Sequence, residues 1–319
     1  MHIGIITPAA AKSLSGNRAT AKRWAGFLRQ LGHRVTISVS WDGTVYDLMI
    51  ALHAWRSAES ITAFKKSYPH IPLVLAMTGT DLYRFMASDP ELTLASIELA
   101  DRLVTLHRLA TRVLPKSAQH KVHVIHQSAD PLSGPVKRSV RHFDICVAGH
   151  LREEKDSMRV AYAVRDLPES SRIRVLHFGK AHDDVWAGYA KEEMETNSRY
   201  HWFGEVPHWK IRQAYSSCHL MVLPSIMEGG ANVISEATVA GLPVIASDID
   251  GSIGLLGEDY AGYYPVQDTD VLREILLKAE SDPAFVKTLE HQCKHCATSF
   301  TREAEKQGWV DLLKDMGLI

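Results

Sequence analysis

An excess of charge of either sign is missing from this chain. Among its 319 residues, 36 Lys and Arg stand against 37 Asp and Glu, for a formal net charge of -1. That balance argues against a globally basic surface for a nucleic-acid backbone. Local basic pockets stay open, and the 17 His can add to them. Cysteine is scarce. Four in a chain of this length do not make a disulfide scaffold and fit a reducing compartment. No apolar run is long enough to span a bilayer, and no basic amphipathic helix suggests docking on a membrane surface. The start, Met1-His2-Ile3-Gly4-Ile5-Ile6, has no basic region or long apolar stretch of a secretory leader and reads as a buried strand. The expectation is a soluble cytoplasmic protein with no nucleic-acid or membrane partner.

What the chain does have is a globular composition, with 45% apolar and 23% charged residues. At about 150 residues per domain, its length suggests two domains. Short apolar runs, most of them β-branched or aliphatic with little polar alternation, recur at 2–7, 34–38, 47–52, 73–77, 102–106 and 122–125. A second set follows at 143–148, 173–178, 200–203, 220–223, 243–246 and 263–265. Such runs fit strands buried on both faces. Helical patterns lie between them, as at 19–31 and 232–240, so the pattern predicts parallel βαβ units. The segment 130–141 carries Pro131, Gly134 and Pro135 and then Lys137, Arg138 and Arg141, without periodicity. It reads as a linker. The expected fold is α/β: two doubly wound domains, 1–135 and 136–319, facing each other across a cleft. The polar-faced helical tail at 282–319 does not indicate which domain it packs on.

The richest segment runs from Leu220 to Ala246 and reads strand, loop, helix, loop, strand. Glu228 comes just before Gly229 and Gly230, and Glu236 lies on the helix that follows. The glycines let backbone N–H groups approach a ligand, and the helix points its positive end at the same place. The two carboxylates can accept hydrogen bonds from sugar and ribose hydroxyls. Two metal-like patterns carry less. Asp248-Ile249-Asp250 reads as turn chemistry, and Cys293 with Cys296 reads as two side chains sharing one helix face.

The segment from Glu228 to Glu236 resembles the paired-glutamate region of retaining GT-B glycosyltransferases that use nucleotide sugars. Ser15-Gly16-Asn17-Arg18, Thr78-Gly79-Thr80-Asp81-Leu82 and Gly149-His150-Leu151-Arg152-Glu153-Glu154-Lys155 resemble other loops of that family. Together with Ala51-Leu52-His53-Ala54, Glu228-Gly229-Gly230-Ala231-Asn232-Val233 and Gly254-Leu255-Leu256-Gly257-Glu258-Asp259-Tyr260, they are similar to the selenosugar synthases of selenoneine biosynthesis.

That resemblance implies two Rossmann-like domains of GT-B type, an N-terminal acceptor side and a C-terminal nucleotide-sugar side, with the last helix crossing back. It implies transfer from UDP-N-acetylglucosamine to selenophosphate, without a metal or other cofactor. Glu228 would contact the sugar, Glu236 the ribose, and Gly229, Gly230, Ala231, Asn232 and Val233 the sugar and phosphates. Val206, in the loop 204–207, would touch the uracil. Lys155 would hold the diphosphate. His150 stands where the family has Arg, and Arg152 is the substitute cation. Gly16 and Asn17 would add helix N-terminal donors.

The chemistry agrees with a nucleotide-sugar donor. Breaking the bond to the diphosphate leaves negative charge on it, which Lys, Arg and N–H groups stabilise. His53, His107 and His126 fall at the ends of expected strands, at the edge where such folds bind ligands. His53 is the expected functional one, orienting a group or moving a proton. Arg18, His53, Arg56 and His126 are the expected acceptor set, because a small anion calls for cationic or potentially cationic side chains. Three alternatives stay open: transfer to an ordinary hydroxyl, epimerisation of a nucleotide sugar, and a silent sugar-binding module. Incubation without acceptor separates the second of these, and UDP release the third.

Overall fold

The computed structural model describes residues 1–13 and 15–319. Its first six strands are β1 (His2–Ile6), β2 (Arg34–Ser38), β3 (Leu48–Leu52), β4 (Leu73–Ala76), β5 (Arg102–Thr105) and β6 (Val122–Val124). They form one sheet in the order β2-β1-β3-β4-β5-β6. The next six are β7 (Phe143–Ala148), β8 (Ile173–Phe178), β9 (Tyr200–Trp202), β10 (Leu220–Leu223), β11 (Val244–Ser247) and β12 (Tyr263–Tyr264). They form a second sheet, β12-β11-β10-β7-β8-β9. Every pairing in both sheets is parallel. All twelve runs became strands; the central ones are covered on both faces, while the edge strands β2 and β6 are partly exposed. β3, Leu-Met-Ile-Ala-Leu, is buried at every position.

The helices are α1 (Gly16–Gln30), α2 (Ala58–Ser67), α3 (Met86–Ser88), α4 (Pro90–Leu99), α5 (Met158–Ala163) and α6 (Asp184–Thr196). They continue with α7 (His208–Ser217), α8 (Asn232–Val239), α9 (Asp250–Leu256), α10 (Thr269–Ser281), α11 (Pro283–Ala297) and α12 (Arg302–Asp315). None of the described helices is long and apolar enough to cross a membrane.

Two compact units result, and their limits differ from the expected 1–135 and 136–319. One comprises Met1–Ser128, Glu228–Asn232 and Thr301–Ile319; the other comprises Ala129–Met227 and Val233–Phe300. The segment 130–141 is not a free linker. The Arg212 guanidinium donates to the carbonyls of Asp130 and Pro131 at 2.9 and 2.6 Å, and the Lys137 N–H donates to Ser216 O. These bonds hold the segment on the second unit.

In the first unit one face of the sheet packs on α1 and α12, and Trp24 meets Trp309 edge to face at 4.9 Å. The other face packs on α2 and α4 through Ile61, Phe64 and Ile97. The buried Glu305 carboxylate of α12 accepts from Trp24 Nε1 and Arg23 Nε, both at 2.7 Å, and from the Ser128 N–H at 2.8 Å. These bonds, together with Trp309, Leu312 and Leu313, place the last helix on the first unit.

Candidate active site

In each sheet the chain winds outward in one direction and then in the other. The reversal falls between β1 and β3 in the first sheet and between β7 and β10 in the second. At such a reversal the loops leaving the carboxyl ends part, and ligands bind there.

In the second unit the loops after β7 and β10 are joined, because the Ile226 N–H donates to Glu154 O at 2.9 Å. Lys155 closes a short 3-10 turn, Glu153–Lys155, which ends at Asp156 in a left-handed conformation. Its aliphatic stem lies near Gly149, where a Cβ would come 3.9 Å from Lys155 Cδ. Lys155 therefore stands at the switch point. Its two expected companions differ from a simple pair of cations. Arg152 Nε lies 3.8 Å from the Glu154 carboxylate, so its charge is partly matched within the chain. His150 Nδ1 accepts from the Lys180 N–H at 3.1 Å, which assigns the ring proton to Nε2. Burial lowers its pKa, and the charges of Arg152, Lys155 and Lys180 lower it further. His150 thus offers a neutral N–H where Arg was the family pattern. Lys180, at the end of β8, joins the cations around it. Sequence reading missed Lys180, which no recognisable motif marks.

Glu236, on α8, accepts from Tyr215 OH at 3.0 Å, and its other oxygen lies 3.3 Å from His208 Nε2. Tyr215 is buried, so its hydroxyl pKa is pushed well up, first by desolvation and then by Glu236. His208 is raised chiefly by its hydrogen bond to Glu236. The expected ribose ligand is therefore pre-oriented by two α7 side chains that sequence reading did not single out. Val206 precedes α7 in the turn after β9, next to Pro207, whose carbonyl accepts from the Lys210 N–H.

In the first unit, His53 directly follows β3 and is buried. Its φ of 74° is left-handed, an uncommon and costly state for a residue with a Cβ. Its ring Nδ1 accepts from the Arg56 N–H at 3.1 Å, so Nε2 carries the proton and donates to Thr80 Oγ1 at 2.9 Å. Burial lowers its pKa, Asp81 opposes that and Arg56 adds to it. His107 follows β5, pairs with Tyr83 OH at 3.1 Å and leaves its buried Nδ1 without a hydrogen bond. Its pKa is lowered to about 4, first by burial and then by His126. Burial lowers His126 as well.

The expected cationic acceptor set is corrected accordingly. His53 and His126 are neutral near pH 7 and offer hydrogen bonds rather than charge. The cations are Arg18, half-buried with its Nε unbonded, and Arg56, exposed.

The glycines also serve the protein's own packing. Gly229 packs backbone to backbone on Thr78 and Gly79: a Cβ on it would lie 2.5 Å from Gly79 Cα and Thr78 C. At Gly230, φ is 142° and a Cβ would run into the Leu106 side chain. What approaches these glycines is the protein's own loop, which sets where Glu228 stands. Ala231 is buried, and Asn232 opens α8 with its Oδ1 3.4 Å from an Arg23 nitrogen. Val233 follows in the first turn of α8. Gly16 opens α1, where a Cβ would lie 3.6 Å from Asn232 Nδ2, and Asn17 is the next residue of the helix.

The metal-like patterns are otherwise engaged. Asp248 accepts from the Val266 N–H, and Asp250 starts α9. Cys293 lies 3.3 Å from Tyr260 OH, and Cys296 meets the Leu256 carbonyl. Among the described residues no group of three His, Cys, Asp or Glu is arranged to hold a metal.

Residues 135–298 match the family described as glycosyl transferases group 1. A teichuronic acid biosynthesis glycosyltransferase of Bacillus subtilis, TuaC, is 25% identical over 134 residues, 42% of this chain and 32% of that protein. A UDP-Gal:alpha-D-GlcNAc-diphosphoundecaprenol alpha-1,3-galactosyltransferase of Escherichia coli is 25% identical over 182 residues, 54% of this chain and 45% of that protein. The chain spans less than half the length of these curated relatives. Among solved structures, a sucrose-phosphate synthase from Thermosynechococcus elongatus superposes with a TM-score of 0.78 at 16% identity, covering 99% of both chains. Anabaena HepE in complex with UDP-glucose gives 0.79 at 13% identity, covering 100% of both. These likenesses establish the GT-B fold.

Proposed function

The chain belongs to the glycosyl transferases of group 1, and from that premise we propose that it is a UDP-sugar-dependent transferase, a selenosugar synthase joining UDP-N-acetylglucosamine to selenophosphate. The observation that carries the donor half is Glu236. It is a carboxylate set by Tyr215 and His208 on the helix that follows the switch-point loop. It accepts from the ribose hydroxyls. Lys155, Arg152, the His150 N–H and the N-terminus of α8 stabilise the leaving diphosphate, with no metal required. Glu228 and the 229–233 backbone hold the sugar, and Val206 borders the uracil. The solved structures of HepE with UDP and with UDP-glucose, which share this fold, support a donor of that class.

The acceptor half rests on the loop motifs that resemble the selenosugar synthases. Arg18 and Arg56 carry the charge that a small anion needs, the neutral His126 adds an N–H donor, and His53, whose N–H is given to Thr80 Oγ1, borders them. Selenium of selenophosphate attacks the anomeric carbon, and the bond from that carbon to the UDP oxygen breaks. UDP leaves with the bonding pair. Hydrolysis of the selenium–phosphorus bond then places the water oxygen on phosphorus and frees the selenosugar. Neutral imidazoles favour one further reading: transfer to a sugar hydroxyl, with His53 taking the proton on Nδ1 in exchange for its bond from the Arg56 N–H.

UDP release from UDP-N-acetylglucosamine, measured with selenophosphate, thiophosphate, phosphate and simple sugars in turn, tests the proposal. Stimulation by selenophosphate alone supports it. Stimulation by sugars and indifference to selenophosphate overturns the acceptor assignment.

A further inference from the structure

Asp81 has no exposed surface, yet its carboxylate ties together the loops that follow two neighbouring strands. Oδ2 accepts from the Ala54 N–H, in the loop after β3, at 3.0 Å. Oδ1 accepts from the N–H groups of Thr78 at 2.9 Å, Gly79 at 2.7 Å and Leu82 at 3.2 Å, all after β4. Four peptide N–H groups thus converge on one buried charge. Such an arrangement is strong when complete and costly when one acceptor is lost.

Both loops so joined hold candidate site groups. Ala54 is the neighbour of His53, whose left-handed backbone needs outside support. The His53 ring is further bounded by Thr80 Oγ1 and by the Phe85 ring, with centroids 5.7 Å apart. Thr78 and Gly79 form the surface on which Gly229 rests, one residue from Glu228.

We propose that Asp81 is a positioning residue: without reaching the surface, it fixes the His53 imidazole and the Thr78 and Gly79 backbone that seats Glu228 and Gly229. Asparagine cannot do the same. It keeps one carbonyl oxygen, but its NH2 group would face peptide N–H groups that also donate. Only the kinetic arm of the test below rests on the transferase reading.

The experiment uses the full chain carrying Asp81→Asn and, separately, Thr80→Val. Three quantities are read: the titration and tautomer of His53 by 1H–15N NMR, the Gly229 amide shift, and kcat and KM for UDP release. Asp81→Asn should lower the His53 titration midpoint, because the carboxylate raises it. It should also move the Gly229 amide and lower kcat by on the order of 10–100-fold, with KM for donor nearly unchanged. Thr80→Val removes the partner of His53 Nε2 but keeps the Arg56 N–H on Nδ1, so it should keep the His53 tautomer, lower kcat and leave the Gly229 amide in place. A folded Asp81→Asn protein with His53 and Gly229 signals as in the wild type overturns the proposal. So does a rate loss no larger than the loss of folded protein. Should Asp81→Asn not fold, Asp81→Glu keeps the charge but misplaces the acceptor oxygens, and His53 and Gly229 signals as in the wild type in that variant overturn the proposal. If the wild type releases no UDP from any donor, the transferase reading fails, while the NMR arm still decides the role of Asp81.

Discussion

Replacing Gly229 by Ala is the sharpest perturbation the site allows. The new Cβ would stand 2.5 Å from both Gly79 Cα and Thr78 C. Both are backbone atoms in a loop pinned by Asp81, so no side-chain rotation relieves the clash. Carbon atoms rest at about 3.5 Å or more, so one segment has to move by about 1 Å. Overpacking of this kind costs about 1–3 kcal/mol of stability. The larger effect falls on the reaction, because a displacement of about 1 Å at a reacting group can cost roughly 100-fold in rate. That corresponds to about 2.7 kcal/mol of barrier. The assay is kcat for UDP release beside thermal unfolding of the same preparation. Gly26→Ala serves as control: it lies in α1 with open space around its Cβ position. It should keep wild-type turnover and gain about 0.5–1 kcal/mol of helix stability. A Gly229→Ala protein that turns over at the wild-type rate would refute the view that Thr78 and Gly79 set the position of Glu228.

Other outcomes follow from the same geometry. Glu236→Ala should weaken UDP binding by about 1.5–3 kcal/mol in calorimetry, through loss of hydrogen bonds to a charged acceptor; unchanged affinity removes Glu236 from the ribose site. His208 has a raised pKa because it bonds to Glu236, with Arg212 and Asp130 as its other charged neighbours. If ribose takes that oxygen, binding releases a proton from His208, so UDP affinity should rise with pH above 6.5 and level off above the raised value. His208→Gln should flatten this dependence. Turnover should survive EDTA and fall on Lys155→Ala; activity lost in EDTA and restored by Mg²⁺ would contradict charge stabilisation by the chain alone. Trp309→Ala should destabilise the protein by about 3–5 kcal/mol in denaturant unfolding, since the indole fills the α1–α12 contact of the first core.

Strand content was legible because burial on both faces of a parallel sheet leaves an unbroken aliphatic run, as in Leu48–Leu52 and Leu220–Leu223. The destination of α12 was not. An apolar face of Trp309, Leu312 and Leu313 fits any apolar surface, and what selects the first unit is the bonding of Glu305 to Arg23, Trp24 and Ser128. The candidate site residues Glu228, Glu236 and Lys155 could be named from the motifs that carry the resemblance. Their supports could not. Tyr215 and His208 reach Glu236 from another helix, and Asp81 gathers N–H groups from two loops. The charge state of His53 and His126, expected to be cationic or potentially so, was open for a related reason. A sequence shows that a residue can be cationic, whereas burial decides whether it is.

In the proposed reaction the sugar of UDP-N-acetylglucosamine passes to selenium. Mass spectrometry of the full reaction with selenophosphate tests it most directly. A new N-acetylhexosamine species bearing the selenium isotope pattern should form in step with UDP. UDP formed without any selenium-bearing sugar, or an isotope-free sugar product, would contradict it.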